Sequence, residues 1–238
     1  MGEITEPSAA IAQARRAGDA PAELVRELAE ADAALCGAPP GEILRWAYDR
    51  FGDGLVVTSS FQDCVLADLA NAARPGAAIV FLDTGFHFPE TLAYLHHVEK
   101  VLNLTVEIVR PALGDDEHPC GTSRCCELRK VAPLQGVLSG RTCWVTGVKR
   151  VDTPERAGAA AVAWDAGKGV VKVNPLVAWS EDDVEDYIER RQLPRHPLTY
   201  VGYASIGCAP VTTPVADGDD PRAGRWSGST RTECGLHL

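Results

Sequence analysis

Short apolar runs and helix-length amphipathic segments alternate through the first half of the chain. The apolar runs at 55–58, 78–82 and 104–109 predict buried strands, and the segments at 65–73 and 89–101 predict helices. This alternation is typical of βαβ units and indicates an α/β fold with a largely parallel sheet flanked by helices. The loops that follow the strands would then meet at one edge, where α/β sheets bind ligands.

The pattern continues on both sides of this region. Apolar positions recur at helical spacing over 21–35, and a second helix is expected to open at Pro40. Ser180 is placed to cap a later helix. The remaining predicted elements are a polar loop at 114–123, a helix at 125–138, strands at 142–146 and 170–173, and a helix at 181–190.

Three parts are predicted along the chain. Residues 1–38 form an N-terminal helical or tail segment, 39–204 an α/β domain, and 205–238 an irregular C-terminal tail. The tail contains Ile206 and Trp226, which is unusual for a solvated terminus. We expect it to dock over the sheet edge and to act as a lid.

Composition limits the classes of function. A net charge of −10 argues against a nucleic-acid surface, which needs a basic face. Apolar runs fall short of the roughly 20 residues that a membrane span needs, and the acidic N-terminus is not a secretory signal. We therefore expect a cytoplasmic protein without a membrane partner. Its eight cysteines would stay reduced there, which favours metal binding or thiol chemistry over disulfides.

Two loops at predicted strand ends are candidates for nucleotide binding. The loop at 58–63 leaves a strand and enters a helix, where hydroxyls and backbone N–H groups suit a phosphate. An ordinary Ser/Asp helix cap is the alternative. The turn at 82–85 follows the next strand, and its backbone could pair with a purine edge, although strand ends often carry such turns. The candidate residues are Ser59, Ser60, Asp63, Leu82, Asp83 and Gly85.

The cysteines form a second group of candidates. Cys125 and Cys126 are adjacent and cannot easily bridge each other, and Cys208 lies far along the chain. Soft sulfur ligands select zinc or an iron–sulfur cluster. The alternative is that these side chains are small buried hydrophobic groups.

The tail supplies a third group. Arg222 and Arg225 are three residues apart and could clamp a phosphate or sulfate, or could simply form a solvated charged face. Cys234 follows on the same segment, and a thiol on a flexible segment close to arginines would be reactive.

Together these segments resemble the sulfonucleotide reductases, the assimilatory adenylyl-sulfate and phosphoadenylyl-sulfate reductases. The resemblance runs in order from Thr58 to the C-terminus, roughly three quarters of the chain. Its most specific parts are the ECGLH ending and the CCxxRK motif. The matching stretches are TSSFQDCVLADLA, FLDTGFHFPET, CCELRKVAPL, WVTGVKR, VKVNPLVAWSEDDVEDYI, YASIGCAP, DPRAGRWSG and TECGLHL.

The resemblance implies a fold like that of the adenine-nucleotide α-hydrolases, with a nucleotide-binding α/β domain and a catalytic tail. Cys234 would attack the sulfate sulfur to give an S-sulfocysteine, and thioredoxin or a similar dithiol protein would release sulfite. Positive charge near the anionic sulfate would come from Lys130, Arg222 and Arg225, with His237 nearby in sequence. Positions matched to nucleotide binding also include Gly147, Lys149 and Arg150.

The CCxxRK motif resembles the iron–sulfur branch, which implies a [4Fe-4S] cluster and a preference for adenylyl sulfate. Cys125, Cys126 and Cys208 match three ligands, but the fourth position is Val211, which cannot ligate iron. Three outcomes stay open: a three-cysteine cluster with one open iron, a substitute thiol such as Cys120, or a labile or absent cluster.

The implied reaction is thioredoxin-dependent reduction of adenylyl sulfate to sulfite and AMP, in sulfate assimilation and cysteine biosynthesis. The alternatives are reduction of phosphoadenylyl sulfate, an ATP-dependent sulfurtransferase that thiolates its substrate, and a non-catalytic nucleotide or cluster sensor. The intact ECGLH ending argues against the last two. A homo-oligomer is left open.

Overall fold

The structure, a computed structural model, describes Ile11, Ala14 and residues 20–113, 118–216, 218–226, 231 and 233–237. Part of the predicted N-terminal segment 1–38 and part of the polar loop at 114–123 lie outside these residues. No helix in the described part of the chain is long and apolar enough to cross a membrane.

Six strands form one sheet in the order β3-β2-β1-β4-β6-β5. The pairs β1–β4, β2–β3 and β4–β6 are parallel, and the edge pair β5–β6 is antiparallel. The fold is thus α/β with a mostly parallel sheet flanked by helices, as predicted. The strands are β1 Leu55–Thr58, β2 Ile79–Leu82, β3 Val106–Val109, β4 Cys143–Val145, β5 Val162–Asp165 and β6 Val170–Val173.

Helices connect the strands and precede the sheet. The helices are α1 Ala22–Leu35, α2 Pro40–Phe51, α3 Val65–Ala73, α4 Pro89–Leu102, α5 Ser123–Cys126, α6 Ala132–Leu138 and α7 Glu181–Arg191. Pro89 occupies the first turn of α4, as expected from its fixed φ angle. Ser180 Oγ accepts a hydrogen bond from Asp183 N at 3.1 Å, which confirms the predicted cap of α7.

The chain divides into two compact units. The first consists of Met1–Thr58, Leu66–Ala78 and Leu138–Asp186. Its centre is Trp144, which is 1% exposed and donates a hydrogen bond from Nε1 to Thr58 Oγ1 at 2.8 Å. Strands β1, β4 and β6 are buried almost throughout, as is typical of parallel strands covered on both faces.

The N-terminal helix α1 is tied to the edge strand of the first unit. Asp32 Oδ1 accepts hydrogen bonds from Ala161 N at 2.6 Å and Val162 N at 3.1 Å. Leu24 and Leu28 provide its buried face. The helix that the sequence predicts at 21–35 is therefore held by side-chain burial and by the hydrogen bonds that Asp32 accepts from the start of β5.

The second unit consists of Ser59–Val65, Ile79–Val137 and Tyr187–Leu238. Helix α4 holds the chain that leads into the tail. Tyr94 Oη donates to Pro194 O at 2.8 Å, and the His196 ring lies 3.0 Å from Thr91 Oγ1. Since His196 Nδ1 accepts a hydrogen bond from Leu198 N, Nε2 carries the proton and donates to the threonine.

The tail packs onto the loops of the second unit. Ile206 N and Ser205 Oγ both donate to Gln62 Oε1, at 2.9 and 3.2 Å. Ala209 N donates to Phe86 O at 2.7 Å. Buried Ile206 and Trp226 follow the expectation that these apolar residues dock the tail. Motion of the tail as a lid stays a prediction.

Two elements differ from the sequence-based prediction. The helix expected at 125–138 is instead α5, a π-helical stretch Glu127–Val131, and α6. Strand β5, Val162–Asp165, was not predicted, because only its first residue is buried and an edge strand lacks a continuous apolar run. Helix α5 also begins at Ser123, which the sequence placed in the polar loop.

Candidate active site

The adjacent cysteines stand at the start of a helix in the second unit. Thr122 caps α5, accepting a hydrogen bond on Oγ1 from Cys125 N at 3.1 Å. This cap holds the first turn in place, and Cys125 and Cys126 are buried in it. The π-helical stretch that follows carries Lys130, and such stretches often occur at functional sites.

Sulfur atoms from three segments line one small cavity. Cys120, Cys125, Cys126 and Cys208 all contribute to its wall, together with Val211. The thiols of Cys120 and Cys208 are hydrogen-bonded to each other, and Thr84 Oγ1 lies 3.5 Å from Cys208 Sγ. The three cysteines that the sequence predicts as metal ligands therefore line the same cavity.

The pKa values of the Cys120 and Cys208 thiols shift in opposite directions. The hydrogen bond from Cys120 lowers the pKa of the Cys208 thiol, even though burial acts in the opposite direction. The same hydrogen bond, together with burial, raises the pKa of Cys120. Burial raises the pKa of Cys126 despite the nearby cations Lys130 and Arg231.

The fit to an iron–sulfur cluster depends on these sulfurs. Within the described residues, no three Cys, His, Asp or Glu side chains converge closely enough to form a metal site. The donor set itself fits, because four cysteine sulfurs on one cavity wall are the ligands that a [4Fe-4S] cluster takes. Side-chain rotation within this wall would be needed to bring the sulfurs together.

Cys234 lies among the positive charges of the second unit. It lies close enough to Lys130, Arg225 and Cys126 to affect the pKa values of all three. Burial lowers the pKa of Lys130, but the nearby Cys234 and Cys208 outweigh it, and the pKa stands above its usual value. Cys234 is half-buried.

Arg225 is the more enclosed of the two predicted tail arginines. Nη1 donates to Ser205 Oγ and Ile206 O, both at 3.3 Å. Its buried Nε has no hydrogen-bond partner within the described part of the chain. A Cβ on Gly207 would overlap the guanidinium, so glycine is required for this close approach. Burial lowers the pKa of Arg225, and Arg222 lowers it further.

Arg222 and His237 are the other two predicted charged residues of the tail. The electrostatic effect of Arg222 on Arg225 shows that the two predicted arginines are neighbours. Arg222 N donates to Asp220 Oδ1 at 2.8 Å, which forms part of a turn. His237 is half-buried near the end of the tail.

Arg231 is a site residue that the sequence reading missed. Nη1 donates to Gly121 O at 2.7 Å, and Nη2 lies 3.5 Å from Cys126 Sγ and 3.3 Å from Glu233 O. The guanidinium also lies 5.7 Å from the centroid of the Trp226 ring. In the sequence, the sign of this role is that Arg231 directly precedes the TECGLHL ending and lies three residues before Cys234.

The loop after β1 contains Ser and Asp capping interactions, which the sequence indicates as the alternative to phosphate binding. Ser59 Oγ accepts from Phe61 N at 3.2 Å, and Asp63 Oδ1 accepts from Val65 N at 2.9 Å at the start of α3. Ser60 is exposed. Ser59 and Asp63 thus stabilise the loop, whose hydroxyl at Ser60 faces solvent.

The turn after β2 is held by Asp83. This buried carboxylate accepts from Gly85 N at 3.0 Å and from Arg110 Nε at 2.9 Å. Burial raises the pKa of Asp83, but these hydrogen bonds outweigh it and the pKa is lowered. The carbonyl of Leu82 lies 3.1 Å from His87 Nε2. Three predicted nucleotide residues therefore shape one turn.

The remaining predicted nucleotide residues belong to the first unit. Gly147 is exposed, whereas Lys149 is buried and forms ion pairs from Nζ to Glu181 at 2.9 Å and Asp152 at 3.3 Å. Arg150 Nε donates to Ala159 O at 2.8 Å. These contacts give both cations a structural role.

The mostly parallel sheet flanked by helices defines the class as an α/β protein, and four cysteines line one cavity of its second unit. The phosphoadenosine phosphosulfate reductase domain model matches residues 54–214. The chain belongs to this family of sulfonucleotide reductases, as its sequence motifs implied.

Curated relatives agree with this assignment. A protein from Mycolicibacterium smegmatis is 45% identical, with 90% of this chain and 95% of the relative covered. One from Rhodococcus erythropolis is 44% identical, with 92% and 96% covered. Both are named adenosine 5'-phosphosulfate reductase.

Solved structures support the fold. A phosphoadenylyl-sulfate reductase from Candida auris, in complex with phosphate, has a TM-score of 0.69 and 25% identity. It matches over 82% of this chain and 98% of its own length. A Candida glabrata FMN adenylyltransferase, 12% identical, has a TM-score of 0.58 over 90% of this chain and 76% of its own. At that identity the second likeness concerns the fold alone.

Proposed function

We propose that this chain reduces adenylyl sulfate to sulfite and adenosine monophosphate in sulfate assimilation, which supplies cysteine biosynthesis. The curated relatives at 44–45% identity, named for this substrate, support the choice. The carrying observation is the position of Cys234, which lies close enough to Lys130 and Arg225 in the second unit to affect their pKa values. A thiol beside two cations is suited to attack an anionic sulfate.

In the first step, the Cys234 thiolate attacks the sulfur of the sulfate. The new S–S bond forms as the bond between sulfur and the bridging phosphate oxygen breaks, and AMP leaves with that electron pair. The product on the enzyme is an S-sulfocysteine. AMP is a good leaving group because its phosphate stabilises the charge that develops on the oxygen.

In the second step, a dithiol protein such as thioredoxin resets the enzyme. One of its thiolates attacks Cys234 Sγ, the S–S bond breaks, and sulfite leaves with the electron pair. The second thiol then closes a disulfide on the donor and releases Cys234 as a thiolate. Sulfate is reduced by two electrons, and the dithiol is oxidised by the same two.

The cations offset the repulsion between thiolate and sulfate. Lys130 keeps its proton because the thiols around it raise its pKa. Arg225 has a buried Nε without a partner among described residues, which supplies an N–H for a sulfate oxygen. Arg222 adds charge beside it, and His237 follows in the tail. The tail would then close over the substrate as a lid.

The nucleotide-binding residues are assigned position by position from the motifs that match the family. Ser60 offers an exposed hydroxyl for a phosphate. Asp83 fixes the turn whose backbone would meet the purine edge. The proposed nucleotide-binding residues are Ser59, Ser60, Asp63, Leu82, Asp83, Gly85, Gly147, Lys149 and Arg150.

A [4Fe-4S] cluster is part of the proposal, held by Cys125, Cys126 and Cys208. When bound, it would supply a sulfur-ligated iron centre whose charge adds to the field around Lys130. The protein's own contribution is independent of that: the cap by Thr122 fixes the start of α5, and the hydrogen bond between Cys120 and Cys208 joins two segments. An open iron or a labile cluster are the alternatives to full cysteine ligation.

The intermediate provides the test of this mechanism. Incubating the protein with adenylyl [³⁵S]sulfate in the absence of a dithiol should label Cys234, and adding reduced thioredoxin should release the label as sulfite. Cys234→Ser should abolish labelling, while Cys36→Ser, a half-buried thiol of the first unit, should retain it. Label that resides on another residue would refute the mechanism.

Substrate choice needs a separate measurement. The Candida auris relative is named for the 3′-phosphorylated nucleotide, which makes phosphoadenylyl sulfate the second candidate. The ratio of kcat/KM for the two nucleotides decides, because it measures differential binding of the transition states. ATP consumption with pyrophosphate release would instead indicate a thiolation enzyme.

A further inference from the structure

Val211 packs against the backbone that carries Cys120. A Cβ on Gly121 would stand 2.9 Å from Val211 Cγ1, so the glycine permits the loop to approach this side chain. Gly121 also has a φ of +96°, which side-chain-bearing residues rarely adopt. Gly121, the residue next to Cys120, therefore packs against Val211. Val211 is the position at which the family pattern has a cysteine ligand.

Cys120 shares its surroundings with the three matched cysteines. Its thiol is hydrogen-bonded to Cys208, and it lines the same cavity wall as Cys125 and Cys126. The thiol of Cys120 is half-buried, like one held at a cavity edge. The four cysteines thus come from a loop, a helix start and the tail, and all line one cavity.

The loop is fixed relative to the helix start. Thr122 Oγ1 accepts from Cys125 N and donates to Pro119 O at 3.2 Å, which ties both sides of the loop together. Arg231 Nη1 donates to Gly121 O at 2.7 Å from the tail. Because these bonds flank Cys120, little conformational entropy is lost when its thiol binds a ligand.

We infer that Cys120 supplies the fourth sulfur ligand of the [4Fe-4S] cluster, in the role that Val211 cannot fill. The inference rests on the cluster that is part of the proposed function. A fourth thiolate closes the coordination of the last iron, so water and oxygen find no open position there. The departure at Val211 is then compensated within the chain, and the cluster is a four-cysteine cluster of altered spacing.

The test compares iron coordination in four proteins purified without oxygen. The wild type, Cys120→Ser, the control Cys36→Ser, and the double variant Cys120→Ser with Val211→Cys are loaded with ⁵⁷Fe. Iron, acid-labile sulfide and Mössbauer spectra are measured on each. Cys36 is a suitable control because it is also a half-buried free thiol, but in the first unit.

The expected result is about four irons per chain in the wild type, all with the parameters of sulfur-ligated iron. Cys120→Ser should show one distinct iron site or lose about one iron in four, and Val211→Cys should restore the uniform spectrum in the double variant. Cys36→Ser should match the wild type. A wild-type spectrum with one distinct iron, or an unchanged spectrum in Cys120→Ser, would overturn the inference, and so would a wild type without iron.

Failure of the inference is distinguishable from failure of the proposed reaction. Labelling of Cys234 by adenylyl [³⁵S]sulfate reports the reaction and needs no assumption about Cys120. Labelling retained with an unchanged cluster spectrum in Cys120→Ser rejects only the ligand assignment. Absence of labelling in a wild type with a four-cysteine cluster rejects only the reaction.

Discussion

Replacing Arg231 by methionine should loosen the end of the tail that carries Cys234. The side chain bonds to Gly121 O and reaches Cys126 Sγ, which belong to the loop and helix start of the second unit. Its contacts with Glu233 O and Trp226 lie within the tail itself. The first two contacts oppose undocking, and methionine removes both while keeping most of the side-chain volume.

The magnitude follows from the stronger of these contacts. A hydrogen bond from a charged donor is worth about 1.5–3 kcal/mol when its partner is left buried. Arg231 is half-buried, so the lower value, about 1.5 kcal/mol, applies after solvent screening. That corresponds to about a tenfold increase in the undocked fraction of the tail.

Site-resolved alkylation measures this fraction. Under native conditions and without substrate, Cys234 should react with iodoacetamide about ten times faster in Arg231→Met, because only undocked tails react freely. Cys36 in the same sample provides the internal reference. Arg231→Lys separates charge from hydrogen-bond geometry, and Arg124→Met removes a charge from an exposed position of α5.

The alkylation rates of the three variants distinguish hydrogen bonding by Arg231 from a change in net charge. A faster rate in Arg231→Met and an intermediate rate in Arg231→Lys support docking through the planar guanidinium. Equal acceleration in Arg124→Met would assign the effect to net charge near the cysteines. If the Cys234 rate in Arg231→Met stays within twofold of the wild type, the reasoning about docking is refuted.

Three further changes have defined outcomes. Gly121→Ala should lower the free energy of unfolding by about 1–3 kcal/mol in urea titrations, because its φ is positive and its Cβ would crowd Val211; Val211→Ala should recover part of the loss. Arg225→Met should lower kcat/KM for adenylyl sulfate by about 100-fold or more if its Nε binds sulfate, and Arg225→Lys should recover only part. Burial lowers the pKa of His196 to about 4, so the unfolded state binds more protons between pH 6.5 and 4; stability should fall as the pH falls through that window, less steeply in His196→Asn, whereas exposed His97→Gln should keep the wild-type slope.

The parts of the fold that the sequence predicts well are those with a continuous physical signal. Strand β1 and helix α3 have the predicted bounds. The uninterrupted apolar run indicates where the strand begins and ends, and the helical period of apolar residues does the same for the helix. The π-helical stretch Glu127–Val131 gave no such signal, since its residues favour an α-helix. Its buried Arg129, which donates to Thr84 O at 3.0 Å, is a tertiary constraint that local propensity does not contain.

In the candidate site, too, some residues can be predicted from the sequence and others cannot. Chemistry-bearing residue types, such as the paired cysteines and Cys234, are visible in the sequence because their reactivity depends on identity. The partners of Lys149 are not visible, since Glu181 is far along the chain and its carboxylate reaches the ammonium only in the folded unit. Arg231 was missed for a related reason: an arginine in an irregular tail has no periodicity to indicate where its side chain points.

The contacts of Arg231 connect the two chemical questions about this protein. Its guanidinium bonds to the carbonyl of Gly121, next to the proposed fourth ligand, and lies 3.5 Å from Cys126 Sγ. The same residue is three positions from Cys234 and bonds to the carbonyl between them at Glu233. A change in how Cys120 or Cys126 is ligated must therefore shift the groups that hold the nucleophile. Loss of the cluster should raise the alkylation rate of Cys234 as Arg231→Met does, and in that variant cluster loss should add little, because the connection is already broken.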